Sequence, residues 1–134
     1  MANRETMRVL IEQAYAARAR GDADALMSAF HADSIFEFKG DKRALEMAGV
    51  TEGHADIREL MTGFIAAFEF TDREILSMII EGDDACVHSR LRIIYRPKNE
   101  SFTTDVIDLL KFKDGKIASL VEFADTALIK QITS

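Results

Sequence analysis

The feature that most constrains this chain is a change of hydrophobic period near residue 70. Before it, apolar residues recur every three or four positions; after it, every second position. In "ETMRVLIEQAYAARARG", Met7, Leu10, Ile11, Ala14 and Ala17 share one helical face, and Gly21 follows as a left-handed cap. "DADALMSAFH" predicts a second, short helix with Asp22 as its N-cap and His31 at its end. "SIFEFK" alternates, which predicts a strand with Ile35 facing opposite to Phe36 and Phe38. Residues 40–53 read as a loop with a helical turn. "HADIRELMTGFIAAFEF" predicts a third helix, whose apolar stripe is Ile57, Leu60, Met61, Phe64, Ile65 and Phe68. Four strands follow, "REILSMIIEG", "DACVHSRLRIIYR", "SFTTDVIDLLKFK" and "KIASLVEFA", separated by the turn sequences "EGDD", "RPKNE" and "KDGK".

The order is ααβ, then αββββ. Long strands joined by short turns must run antiparallel. Helices segregated from such a meander pack on one face of the sheet, which predicts a single α+β domain over residues 1–134. Both faces of the strands carry apolar residues, so the face without helices needs a cover. A second copy of the chain, forming a homodimer through the outer sheet face, is the simplest one.

A formal net charge of −6 argues against nucleic acid as a partner. One cysteine, Cys86, excludes an intrachain disulfide and reads as a small buried hydrophobe. "MANRETMRVL" lacks the apolar run of a signal peptide, and no stretch approaches the ~20 apolar residues of a membrane span. The expected compartment is the cytoplasm, with no membrane partner. Without H-x-x-x-H, C-x-x-C, G-x-G-x-x-G or G-x-S-x-G, no metal site, nucleotide cofactor or serine nucleophile is expected.

What remains for chemistry is carboxylates on apolar strand faces. Alternation places Asp108 with Val106, Leu110 and Phe112. An unpaired ionised carboxylate there is very costly, so it must be paired, wet or protonated. Two readings stand, a pocket carboxyl and a structural salt bridge to a strand arginine. In "ASLVEFAD", Ala118, Leu120, Glu122 and Ala124 share a face opposite Ile117, Val121 and Phe123. Glu122 is thus either a second carboxyl in the same space or a surface group. Two carboxyls in one apolar cavity titrate apart, one as acid and one as base. Asp125 is either a helix cap before "TALIKQI" or a carboxyl at the pocket mouth. His88, Arg90 and Arg92 alternate along one strand face, forming either a polar outer face or a cationic wall for a ligand.

The run "YAARARGDADALMSAFHADSIFEF", then "GHADIREL", then "IDLLKFKDGKIASLVEFADTALIKQI" resembles the nuclear transport factor 2-like superfamily, closest to its SnoaL-like and ketosteroid-isomerase-like small proteins. The resemblance spans nearly the whole chain. It implies a cone of curved antiparallel sheet packed on the three helices of the N-terminal half, enclosing a pocket and usually dimeric. It also implies a cofactor-independent isomerase, cyclase, dehydratase or hydrolase, or a non-catalytic binder or assembly domain of the same fold. Aligned with ketosteroid isomerases, the base's position falls on Phe38, the tyrosine's on Ala14 with Tyr15 one residue on, and the protonated acid's on Asp108. A phenylalanine takes no proton, so that mechanism is not carried over whole. The ending "VEFADTALIKQI" brings Glu122 and Asp125 forward as proton-transfer candidates. Asp108 with Arg90 or Arg92 and Glu122 imitates the water clamp of epoxide-hydrolase relatives. The expected ligand is a small apolar or weakly polar molecule. Its walls would be Ala14, Tyr15, Phe36, Phe38, Leu60, Met61, Phe64 and Leu120, with Asp108 as neutral donor and Glu122 as base.

Overall fold

The structure, a computed structural model, describes residues 3–134. Helix α1 (Arg4–Ala19) starts at Asn3, whose side chain accepts a hydrogen bond from the Thr6 amide at 2.8 Å. It buries Met7, Ile11, Ala14 and Ala17, and with them a charged residue, Arg18. The chain turns at Gly21 with φ of 74°, a conformation open to glycine at little cost. Helix α2 (Ala23–Met27) is capped by Asp22, which accepts from the Ala25 amide at 3.0 Å.

Strand β1 (Phe30–Phe38) begins earlier than the alternation in "SIFEFK" implies, so His31 lies in the strand and not at a helix end. The expected loop at 40–53 contains a short strand, β2 (Gly49–Glu52), paired antiparallel with β1. Helix α3 (His54–Ala67) follows, buried through Ile57 and Met61. The meander comprises β3 (Phe68–Glu81), β4 (Asp84–Tyr95), β5 (Glu100–Lys113) and β6 (Lys116–Ala124). Helix α4 (Thr126–Thr133) closes the chain.

All six strands join one sheet in the order β2-β1-β6-β5-β4-β3. The meander is antiparallel throughout, whereas β1 joins β6 in parallel. That parallel pair brings the N-terminal third of the chain against the C-terminal strand, and curves the sheet around the helices. This is the α+β architecture the order of elements implies. The concave face holds the core, in which Phe36, Met7, Ile11, Met27, Ile57 and Ile117 are nearly inaccessible.

Four register shifts interrupt the sheet among the described residues, one of them between Phe30 and Ile35 where β1 meets β6. In β3 the register shifts between Phe70 and Asp72 and again between Ile75 and Ser77. Between β5 and β6 it shifts after Lys111, where Phe112 pairs with Ile117 while Lys111 pairs with Ser119. One extra residue reverses the inward face of a strand. Ile117 is therefore buried inside, not on the outer side with Val121 and Phe123 as strict alternation has it.

Candidate functional site

A cavity of about 100 Å³ lies between the concave sheet and helices α1 and α3. Four residues of α1 line it, Ile11, Ala14, Tyr15 and Arg18, at the spacing that puts them on one helical face. Phe36 and Phe38 of β1, Met61 and Phe64 of α3, and Leu120 of β6 add apolar wall. Phe64 meets Phe36 and Phe38 edge to face, at centroid distances of 6.3 and 6.4 Å. Met47, Phe64 and Phe68 also border a shallower hollow of about 400 Å³ that extends to Tyr95 and Thr133.

The polar groups of the cavity come from both sides. Asp108 projects inward from β5 and is 1% exposed. Its Oδ2 accepts a hydrogen bond from the Tyr15 hydroxyl at 2.6 Å. Its Oδ1 is buried with no hydrogen-bond partner among the described residues. Glu122 stands directly opposite Asp108 in the β5–β6 register and lines the same space. Residues so paired across antiparallel strands project to the same side with Cβ atoms ~5 Å apart. Burial first, then the nearby Asp108 charge, pushes the Glu122 carboxyl well above the ordinary glutamate range. The Arg73 and Arg18 charges oppose that shift without cancelling it. Burial, then Asp108, likewise raises Tyr15, so its hydroxyl keeps its proton and acts as a donor.

Two arginines complete the set. Arg18 lies over the Phe70 ring at 3.7 Å and donates through Nη2 to the Phe68 carbonyl at 2.8 Å and the Phe64 carbonyl at 3.3 Å. It thereby ties α1 to the C-terminal end of α3. Burial lowers its pKa to about 10. Arg73 of β3 stacks on the Tyr15 ring at 3.6 Å and donates through Nη1 to Ser89 Oγ at 2.9 Å.

The structure brings together Asp108, Glu122, Ala14, Tyr15, Phe36, Phe38, Met61, Phe64 and Leu120. The remaining sequence candidates lie elsewhere. Arg90 is exposed on the outer face and pairs with Asp105 at 3.1 Å, beside His88 at 2.9 Å from the same carboxylate. Arg92 is also exposed, and its Nη2 donates to Ser101 Oγ at 3.3 Å. Neither is a wall of the cavity, nor a counter-charge to Asp108, because even-numbered residues of β4 face away from the helices. Asp125 is exposed and caps α4, accepting from the Leu128 amide at 3.0 Å. Leu60 packs against the core but does not line the cavity. The salt-bridge reading of Asp108 also fails, since its bonded partner is a tyrosine. The one-residue offset of Tyr15 from Ala14 does not remove it from the site, because both residues reach the cavity.

Sequence reasoning passed over Arg18 and Arg73. Arg18 had a visible signal, a charge four residues after Ala14 on an otherwise apolar stripe. Arg73 had none, because the first β3 bulge turns it inward.

A small cavity with apolar walls, a tyrosine hydrogen-bonded to an aspartate and a glutamate facing that aspartate lies inside a curved-sheet α+β domain. The family profile described as SnoaL-like domain matches residues 11–120, most of the chain. The protein belongs to the SnoaL-like family. Among curated proteins none matches. Solved structures share the fold across nearly the whole length of both chains. A nuclear transport factor 2-like protein from Burkholderia xenovorans is 21% identical over 97% of each chain, with a TM-score of 0.82. A protein from Bacillus subtilis named as an isomerase is 13% identical over 98% of this chain and 94% of its own, with a TM-score of 0.87. TerC, crystallised with polyporic acid, is 20% identical over 96% of this chain and 99% of its own, with a TM-score of 0.82.

Proposed function

We propose that this protein is a cofactor-independent enzyme that moves a proton beside a carbonyl group in a small, largely apolar molecule. The observation that carries the reading is the facing pair Asp108 and Glu122, with Tyr15 bonded to Asp108, inside an apolar cavity. The geometry favours an exchange of the roles expected from sequence. Because Tyr15 donates to Oδ2, Asp108 is held as an acceptor, and its Oδ1, beside the Glu122 carboxyl, is the atom left to take the substrate's proton. Glu122, raised well above the ordinary glutamate range, is the acid.

In the step so described, the substrate's α C–H bond breaks and its proton passes to Asp108 Oδ1. The electron pair shifts to the carbonyl oxygen, which takes the proton of Glu122, and an enol results. Return of the Asp108 proton at another carbon, with the enol O–H proton handed back to Glu122 as the carbonyl re-forms, gives an isomer; loss of a β-hydroxyl with the Asp108 proton, again with the enol proton returned to Glu122, gives a dehydrated product and water. Apolar walls keep bulk water out, which strengthens each charge interaction in the step.

Within this proposal the protein works as a homodimer through the outer sheet face. Supporting it, Ile35, Ile79, Leu109 and Phe123 are all at least 40% exposed.

The test is solvent exchange at carbon. A panel of small apolar ketones is incubated with the protein in deuterated water, and loss of the α-proton signal is followed by nuclear magnetic resonance. Accelerated exchange of at least one ketone is expected. Ketones that bind without exchanging would favour the non-catalytic binding domain instead.

A further inference from the structure

The two arginines of the cavity are not consumed by the proton transfer just described, and their surroundings point to a second requirement of the ligand. Arg18 and Arg73 come from different elements, α1 and β3, yet line one small space with Asp108 and Glu122. Among the described residues, neither forms an ion pair with a carboxylate; their neighbours are aromatic rings, two backbone carbonyls and one serine hydroxyl. Arg18 is engaged by the Phe64 and Phe68 carbonyls and is 7% exposed. Arg73 is the freer of the two. Its Nη1 donates to Ser89 Oγ, and its face rests on Tyr15, leaving the rest of the guanidinium edge for another acceptor.

The charge count leads the same way. Burial raises the Glu122 carboxyl well above its ordinary range despite both arginines, which reduces the negative charge set against the two cations. Arg18 is buried and Arg73 half-buried, and holding such cations away from water is costly unless an anion joins them. A guanidinium edge matches the two oxygens of a carboxylate. Size limits the remainder of the molecule. The cavity is about 100 Å³ and shares Met47, Phe64 and Phe68 with the adjoining hollow, which bounds the apolar body at about a single ring reaching toward that hollow.

We infer that Arg73, backed by Arg18, forms an anion subsite beside the acid–base pair, and that the natural ligand is a compact apolar carboxylate of about single-ring size. This rests on the proposed function for the identity of the cavity, and it adds the substrate class. Arg73 here is a binding residue that holds the carboxylate end while the apolar body lies against Phe36, Phe38 and Phe64.

Binding, read without turnover, separates this inference from the enzymatic reading. Benzoate and its neutral analogue benzamide are titrated into the protein by calorimetry at neutral pH. The wild type is expected to bind benzoate about tenfold more tightly than benzamide, the margin of a charge-assisted over a neutral hydrogen bond. In Arg73→Gln that preference should fall to about unity, with benzamide affinity retained and the circular dichroism spectrum unchanged. Should Arg73→Gln not fold, the wild type still answers: the Arg73 Nε–H resonance should move on adding benzoate and stay in place with benzamide. Equal affinities in the wild type, a preference that survives Arg73→Gln, or an unmoved resonance would overturn the inference. Failure of ketone exchange alone would sink only the catalytic reading.

Discussion

Glu122 couples the chemistry of the cavity to the stability of the fold. Its folded-state pKa is raised above the ordinary 4.5, by burial first and by Asp108 second. A raised carboxyl contributes stability that is fully present below the unfolded pKa and lost as pH rises through the folded one. The urea midpoint of the wild type should therefore fall as pH rises above the ordinary glutamate value of 4.5 toward the raised one. Glu122→Gln, which cannot ionise, should lose less over that range and be the more stable protein at the upper end. Equal slopes for the two proteins would mean that Glu122 titrates normally. Residue identity made part of this visible beforehand. Asp108 announced itself as a carboxylate amid Val106, Leu110 and Phe112 on a regular strand, and Glu122 followed by the same alternation. Their mutual opposition was not legible, because cross-strand register depends on turn length and bulges that sequence pattern leaves open.

At the scale of elements, bulges decide which side chains enter the cavity. Phe68 and Phe70 point inward along β3; without the shift after Phe70, Asp72 would follow them and Arg73 would face solvent. The extra residue sends Arg73 inward, and the second shift restores the earlier phase so that Met78 and Ile80 pack on the core. Helix ends were easier to read, since caps are local chemistry. Asp22 and Asp125 both accept from the amide three residues on. Asp125 thus serves as the cap of α4. Asp125→Ala should lower stability by about 1 kcal/mol, the usual worth of an N-cap, while leaving ketone exchange unchanged. A loss of exchange in a still-folded Asp125→Ala would return this residue to the catalytic set. Strand β2 went unseen because "GVTE" is too short and too polar to alternate recognisably, and pairing with β1 is what orders it.

For the whole molecule, the outer face of the sheet carries an apolar band. Ile79, Cys86, Leu109 and Val121 are successive register partners across β3, β4, β5 and β6, and Ile107 opposite Phe123 lies in the next row. The fold class was legible from the change of period and the element order alone, whereas the band needed the register. In the proposed dimer this band meets its copy, and sedimentation equilibrium should give twice the chain mass of 15.0 kDa. Leu109→Lys, which charges the centre of the band, should shift the protein toward monomer. A monomeric wild type at micromolar concentration would remove the dimer.

The cavity itself is tested most directly by comparing ketone α-carbon exchange in the wild type, Asp108→Asn and Glu122→Gln under one condition. Removing the base should abolish exchange, and removing the acid should slow it by about 10²-fold or more, the usual worth of one positioned proton-transfer group. Exchange that persists undiminished in folded Asp108→Asn would contradict the assignment of this site.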